Sequence, residues 1–227
     1  MLFILPIFLF LTGCSITVLD PKSSTGKEQS FLIWFSFGLM SIVVLVVFIL
    51  FIRFVFKYRY TKEKEGFIPK DVKGNLKLEL TWTILPILLL AVLAVPTIVT
   101  TYDQSPVSDA SEELEGVHVH VKAEQFKWTF THENGKEVED ELVIPEGESI
   151  IFHLEAVDVI HSFWIPELAG KVDAIPGKEI TYEIKNPEVG TYKGKCAEYC
   201  GIQHAQMTFE TRVVSEDDYQ KYLEEEA

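Results

Sequence analysis

Two uncharged apolar runs, separated by a basic segment, constrain the fold of this chain more than any other feature. Residues 31–52 and 82–102 contain no Asp, Glu, Lys or Arg. A helix needs about 20 residues to cross the hydrocarbon core of a bilayer, and both runs are long enough. Helices of soluble proteins are rarely apolar on every side over such a length. The runs therefore predict a hairpin of two transmembrane helices, at 31–52 and 82–102.

The segment between the runs, residues 53–81, sets the orientation of this hairpin. It carries eight Lys and Arg against four Asp and Glu. The positive-inside rule places such a segment in the cytoplasm. Residues 14–30 and everything beyond the second span are then expected on the outer face of a plasma membrane.

The first thirteen residues form an apolar stretch that ends in small residues before Cys14. The stretch is too short to span a bilayer and is typical of a signal peptide, predicted at 1–13. A cysteine at this point is typical of bacterial lipoproteins, in which Cys14 is lipidated and becomes the mature N-terminus. No Lys or Arg precedes the apolar stretch, so an uncleaved anchor with a chance cysteine is the alternative.

The chain beyond the second span is strongly acidic, with 28 Asp and Glu against 10 Lys and Arg over 103–227. This charge would repel phosphate backbones, which argues against a nucleic-acid partner. It would attract and steer a basic protein partner. We expect a polar linker at 103–116, a folded domain at 117–214 and an acidic tail at 215–227.

The pattern within 117–214 is that of an all-β domain. Val117 to Val121 alternates apolar and polar residues, as a half-exposed strand does. Further β-rich runs follow, separated by turn signals such as Asn134-Gly135 and Pro176-Gly177. Short strands at regular spacing predict a sandwich or a barrel. The predicted strands are 117–121, 125–131, 142–144, 149–155, 179–184 and 207–214.

A cluster of soft ligands lies near the end of this domain. Cys196, Cys200, His204 and Met207 follow the spacing C-x3-C-x3-H-x2-M, and His161 lies upstream. Thiolate and thioether sulfur together with imidazole select copper, with zinc as the main competitor.

Three simpler interpretations of the cluster leave something unexplained. A structural disulfide between Cys196 and Cys200 gives His204 and Met207 no role. A Cys2His2 zinc site has no use for the methionine. A mononuclear blue-copper centre takes one thiolate, and here there are two. The surplus thiolate suggests two copper ions bridged by both sulfurs.

With these motifs, the sequence resembles subunit II of the haem-copper cytochrome c oxidases over nearly its whole length, including the Trp82–Pro86 start of the second span. The resemblance implies a cupredoxin-like sandwich that holds a dinuclear copper A centre. It implies that this centre accepts electrons from cytochrome c and passes them to haem in subunit I, where oxygen is reduced and protons are pumped. Subunit III is a further implied partner.

The resemblance also implies roles for single residues. It assigns the copper ligands to two bridging cysteines, two histidines, a methionine and one main-chain carbonyl, at Cys196, Cys200, His161, His204, Met207 and Glu198. The Glu198 side chain would bind magnesium or manganese at the interface with subunit I. Glu79 matches a carboxylate that assists proton uptake; the alternative is an ordinary acid at a helix start.

The family's aromatic segment, usually Gln-Trp-x-Trp, reads Gln125-Phe126-Lys127-Trp128. Phe126 therefore stands where the family receives electrons from cytochrome c, and this departure leaves the route and the donor open. Trp128 is kept, and its alternative role is packing in the core. Asp158 is an acid of the kind that the family places around the copper site for docking.

Several function classes remain open at this point. The chain has no C-x-x-C-H haem motif and is too short for an oxygen-reducing core, so we expect a subunit rather than a complete enzyme. Quinol oxidase subunits of this family have lost the copper ligands, which are all present here. A nitric oxide reductase subunit and a membrane-tethered copper-delivery protein are two further candidates.

Overall fold

The computed structural model describes residues 16–68, 70–106 and 114–225. The chain divides into two compact units, Phe31–Asp103 and the remainder on either side of it. Cys14 and the predicted signal peptide lie outside the described residues, so the lipid anchor stays a prediction.

The first unit consists of two long helices, α1 (Ser24–Tyr58, whose first turns belong to the other unit) and α2 (Leu76–Asp103). Both are long and apolar enough to cross a membrane. Each extends beyond its predicted apolar run, because polar residues at the ends continue the helix. At the start of α2 the Asn75 side chain accepts hydrogen bonds from the Lys77 and Leu78 amides, which caps the helix.

The second unit is a sandwich of two five-stranded sheets, ordered β3-β2-β1-β5-β8 and β4-β10-β9-β6-β7. The strands are β1 (Val117–Glu124), β2 (Lys127–His132), β3 (Glu137–Glu139), β4 (Glu141–Pro145), β5 (Ser149–Ala156), β6 (His161–Trp164), β7 (Val172–Ala174), β8 (Ile180–Lys185), β9 (Gly190–Cys196) and β10 (Thr208–Val214). The predicted fold class, a helical hairpin followed by an all-β sandwich, is confirmed.

The core between the sheets follows from the period of two along each strand. On β1, Val119 and Val121 are buried between the sheets, whereas His120 is exposed. Trp128 on β2 meets Phe163 and Phe209 of the facing sheet with ring centroids 5.7 and 5.5 Å apart. All six predicted strands are present within a few residues. β3, β6, β7 and β9 were not predicted, because they are short or, in β9, rich in lysine and glycine.

The chain before the first span also packs on the sandwich. Lys22 donates its backbone N–H to the Glu167 carbonyl at 2.7 Å, and the Thr25 hydroxyl accepts the Lys185 N–H at 2.9 Å. Ser23 is fully buried and its hydroxyl donates to the Leu168 carbonyl. The sandwich therefore includes residues on both sides of the helical hairpin in sequence, and a fragment that starts after the second span would lose these contacts.

The acidic tail contains a helix, α3 (Glu216–Glu224), that covers one histidine of the sandwich. Ser215 caps α3 by accepting the Asp218 N–H. His132 on β2 is buried beneath the helix, with its Nδ1 3.2 Å from the Tyr219 hydroxyl. Burial, with a smaller contribution from Lys136, lowers the pKa of His132 to about 4.

This histidine should make the stability of the sandwich depend on pH. In the unfolded chain its pKa lies near 6.5, so the folded state binds the proton more weakly. We therefore expect the free energy of unfolding to fall as the pH falls from about 6.5 towards 4. Unfolding of the full chain across this range measures it. His132→Phe, which keeps ring contacts but cannot be protonated, should flatten the decline; an unchanged slope would contradict the assignment.

Candidate metal centre

The copper-ligand candidates come together because two strands and one loop meet at the end of the sandwich. Cys196 ends β9, and its N–H donates to the Met207 carbonyl at 2.9 Å. This hydrogen bond closes the loop between Cys196 and Met207, which we call the cysteine loop. β6 pairs antiparallel with β9, with Phe163 opposite Cys196. This register brings His161, at the start of β6, beside the cysteine loop.

The two thiols occupy the middle of the cluster and each has its own imidazole. Cys196 Sγ and Cys200 Sγ are 3.8 Å apart. His161 Nδ1 lies 3.9 Å from Cys196 Sγ, and His204 Nδ1 lies 3.6 Å from Cys200 Sγ. Met207 Sδ is 3.8 Å from Cys200 Sγ and is fully buried. The structure thus brings all five side chains of the predicted set together.

The sixth predicted ligand is the main-chain carbonyl of Glu198. The Glu198 carbonyl oxygen lies 3.2 Å from Cys196 Sγ, so it faces into the cluster. The Glu198 side chain points elsewhere: it is 44% exposed, and one carboxylate oxygen is 3.7 Å from Lys171 Nζ. The carbonyl of Glu198 therefore faces the cluster, whereas its carboxylate lies at the surface beside Lys171. The magnesium or manganese role of the carboxylate stays a prediction.

Asp158 fixes the orientation of one candidate ligand, His161, a role that the sequence pattern did not reveal. One carboxylate oxygen lies 2.9 Å from His161 Nε2 and accepts the Val159 N–H; the other accepts the Gln125 N–H at 2.8 Å. A carboxylate only accepts hydrogen bonds, so Nε2 of His161 is assigned the hydrogen. Nδ1, which faces Cys196, then keeps the lone pair that a metal ion would bind. Burial alone raises the pKa of Asp158, but these hydrogen bonds outweigh it and hold the pKa below its usual range.

Gln125 and Phe126, in the aromatic segment, lie against the cysteine loop. Gln125 Nε2 donates to the Cys200 carbonyl at 2.6 Å. Gly201 has a φ of +138°, and a Cβ added there would come within 3.1 Å of the Phe126 ring. The loop therefore needs glycine at this position both for its backbone and for the close approach of Phe126.

The two other predicted functional residues lie in different places. Trp128 is fully buried, with its ring centroid 6.2 Å from that of His161, so it is a core residue that also packs beside a candidate ligand. Glu79 is exposed in the first turn of α2, in the helical unit. Its proposed part in proton uptake is a separate question from the metal cluster.

The donor set fits copper better than a disulfide or zinc. Both cysteines are free, and a disulfide needs sulfurs about 2 Å apart rather than 3.8 Å. Burial, together with Cys196, raises the pKa of the Cys200 thiol to about 12. A closed zinc tetrahedron would leave the buried Met207 sulfur without a role. Two thiols flanked by one imidazole each match a pair of soft ions.

Comparisons with known proteins identify the family of the chain. The family model for the periplasmic domain of cytochrome c oxidase subunit II matches residues 117–214, and the model for its transmembrane domain matches residues 12–99. Quinol oxidase subunit 2 of Bacillus spizizenii is 36% identical over 97% of this chain and 70% of its own length. The chain belongs to the cytochrome c oxidase subunit II family. Relatives named for both cytochrome c and quinol oxidases fall within this family.

Two further relatives give the extent of the match. Cytochrome c oxidase subunit 2 of Alkalihalophilus pseudofirmus is 42% identical over 95% of this chain, and the chain spans 65% of that protein's length. The crystal structure of the periplasmic domain of subunit II from Bradyrhizobium japonicum is 28% identical. It covers 49% of this chain and 94% of its own, with a TM-score of 0.47.

Asp158 offers a direct test of how the site of this family member is held. We expect Asp158→Ala to weaken copper retention by roughly 10- to 100-fold, because the partner that orients His161 is lost. Competition with a copper chelator measures the affinity. The matched control is Asp173→Asn. Asp173 lines the surface hollow beside the cysteine loop and pairs in register with Ser162. Equal loss in both variants would show that charge, not orientation, matters.

Proposed function

We propose that this chain is the electron-accepting subunit of a haem-copper terminal oxidase, and that it takes electrons from cytochrome c. The observation that carries the proposal is the arrangement of the two thiols, each with its own imidazole, at 3.9 and 3.6 Å. Bound there, a copper pair would supply a one-electron carrier. The residues that would hold it are His161, Cys196, Cys200, His204, Met207 and the Glu198 carbonyl.

The protein surrounds this carrier with a rigid and largely dry environment. Cys196, Cys200 and His161 are at most 5% exposed, which limits water at the site. Asp158 and Gln125 fix His161 and the cysteine loop from the side of β1 and β2. A carrier whose ligands do not move needs little reorganisation when the electron arrives and leaves.

The surface beside the site suits a protein donor. Ile160, Tyr199 and Ile202 are apolar or aromatic and exposed by 44%, 76% and 90%. Ile160 and Tyr199 line one surface hollow together with Cys200. Acidic residues are in large excess over the whole domain. An apolar contact within an acidic surface fits a basic partner that is steered from a distance.

The remaining assignments belong to the same proposal. Oxygen reduction and proton pumping would take place in subunit I, with subunit III as a further partner, at the bacterial plasma membrane. Glu79 would assist proton uptake, and the Glu198 carboxylate would share magnesium or manganese with subunit I. Phe126, whose ring lies against Gly201 of the cysteine loop, would occupy the position at which the electron enters from cytochrome c.

A quinol oxidase subunit is the second candidate, favoured by the identity to proteins of that name. The presence of all six ligand positions weighs against it, since the resemblance implies that quinol oxidase subunits have lost them. The two candidates differ in the electron donor, which is open to measurement.

The salt dependence of reduction tests the proposed donor. The full copper-loaded chain in detergent is mixed with reduced cytochrome c, and reduction is followed by stopped flow. Because the domain is strongly acidic, we expect the second-order rate constant to fall by at least about tenfold from low to high ionic strength. A rate that does not change with salt, or reduction by a quinol alone, would contradict the proposed donor.

A further inference from the structure

Three histidines outside the copper site lie together on the outer face of the β1–β5 sheet. His118 and His120 are two residues apart on β1 and share a face, and His120 pairs in register with His153 of β5. Their neighbour Val119 points into the core instead. We call His118, His120 and His153 the histidine cluster; the proposed electron transfer gives it no role.

Two rings of the cluster meet nitrogen to nitrogen. His118 Nδ1 and His153 Nε2 are 2.9 Å apart, with ring centres 5.2 Å apart and planes inclined by 17°. The exposed His120 ring stacks on His153 at 4.6 Å. The outer nitrogens face acceptors: His118 Nε2 lies 3.1 Å from the Leu114 carbonyl, and His153 Nδ1 lies 3.3 Å from a Glu179 oxygen.

The hydrogen bonds of this pair leave room for one cation. A carbonyl and an ionised carboxylate only accept, so the outer nitrogen of each ring carries a hydrogen. The inner nitrogens of His118 and His153 then both present lone pairs to each other at 2.9 Å. Any neutral alternative turns a lone pair towards the Leu114 carbonyl or towards Glu179. The arrangement is complete only with a positively charged species at the inner nitrogens.

We propose that the histidine cluster binds one divalent transition-metal ion of the zinc and copper(II) class, through His118 Nδ1 and His153 Nε2. Nitrogens bound to one such ion at about 2.0–2.1 Å lie roughly 3 Å apart, so the two rings need only tilt towards a common point. Imidazole is a preferred ligand of these ions. In the described part of the chain only the thiol site brings three donors within 4.8 Å. The histidine cluster therefore offers two ligands as it stands, and we assign the third to the exposed His120, which stacks on His153.

Two further observations favour a metal ion over a shared proton. Ligand histidines commonly donate their second N–H to a carboxylate or a carbonyl, as His153 and His118 do here to Glu179 and Leu114. The acidic surroundings also attract a divalent cation.

Zinc counting on the full chain tests the proposal. The protein in detergent is dialysed against Zn²⁺ near neutral pH, and bound metal is counted in the wild type and in the His118→Ala/His153→Ala double variant. We expect the wild type to hold one more zinc ion per chain than the double variant. Equal zinc content would overturn the proposal and leave the pair as a proton-sharing contact.

Single variants separate ligands from merely structural residues. His120→Ala should weaken the additional zinc site at least about tenfold, and Glu179→Gln should weaken it less, since it acts through His153. His132→Phe removes a buried histidine of the same sheet and should leave the zinc count unchanged. Retention of the copper spectrum in each variant shows that the sandwich is folded, so loss of zinc reports on the histidine cluster alone. If His120→Ala and His132→Phe behave alike, the assignment of the cluster is wrong.

Discussion

Replacing Cys200 with serine should abolish the two-copper centre while the sandwich stays folded. Cys200 Sγ has three donor neighbours in the cluster, since Cys196 Sγ, His204 Nδ1 and Met207 Sδ all lie within 3.8 Å of it. Serine keeps the size of the side chain but removes the soft bridging sulfur. We expect copper affinity to fall by more than about 100-fold, a larger loss than removal of a supporting residue causes.

Copper content and the visible spectrum of the full chain measure this effect, and circular dichroism checks the fold. The matched control is Ile202→Ala, in the same loop, whose side chain is 90% exposed. It should bind two coppers with an unchanged spectrum. If Cys200→Ser also kept two coppers and the wild-type spectrum, the bridging assignment would be wrong.

Replacing Trp128 with alanine should cause the largest loss of stability in the sandwich. Trp128 is fully buried and makes edge contacts with Phe163 and Phe209 from the facing sheet. Deleting a buried aromatic ring removes its apolar burial and leaves a cavity, which costs about 3–5 kcal/mol. Chemical denaturation of the full chain in detergent measures the free energy of unfolding of the sandwich.

Trp164→Ala provides the comparison for this variant. Trp164 is only half-buried and its Nε1 donates to the Ala169 carbonyl at 3.0 Å, so its loss should cost clearly less. Since Trp128 also contacts His161, copper binding should weaken along with stability in Trp128→Ala. An equal loss of stability in the two variants would contradict the central place of Trp128 in the core.

The parts of the fold with strong sequence signals were predictable. The apolar runs gave both helices, since a run of that length without charge leaves few alternatives. The spacing of Cys196, Cys200, His204 and Met207 indicated a copper site, because those side chains share one loop. His161 came from the family resemblance, since the sequence alone does not show that β6 pairs with β9.

The parts that depend on distant contacts could not be predicted. The sequence of β9 is polar and contains glycine, which does not indicate a strand. It forms a strand because it pairs with β6 and β10. Asp158 was interpreted as an acid for partner docking, whereas in the structure it orients His161, three residues away. A carboxylate three residues before a candidate ligand histidine was the only signal, and such pairs are common. The packing of residues 20–30 on the sandwich could not be predicted either, because nothing in the composition of this segment indicates it.

The central claim is a pair of copper ions that share one electron, and electron spin resonance of the full chain tests it most directly. The chain is reconstituted with copper in detergent, and copper is counted in the His118→Ala/His153→Ala background so that the histidine cluster does not contribute. We expect two coppers per chain, a purple chromophore and a seven-line hyperfine pattern, as an electron shared equally by two copper nuclei gives. One copper per chain with a four-line pattern, or a preference for zinc, would contradict the account.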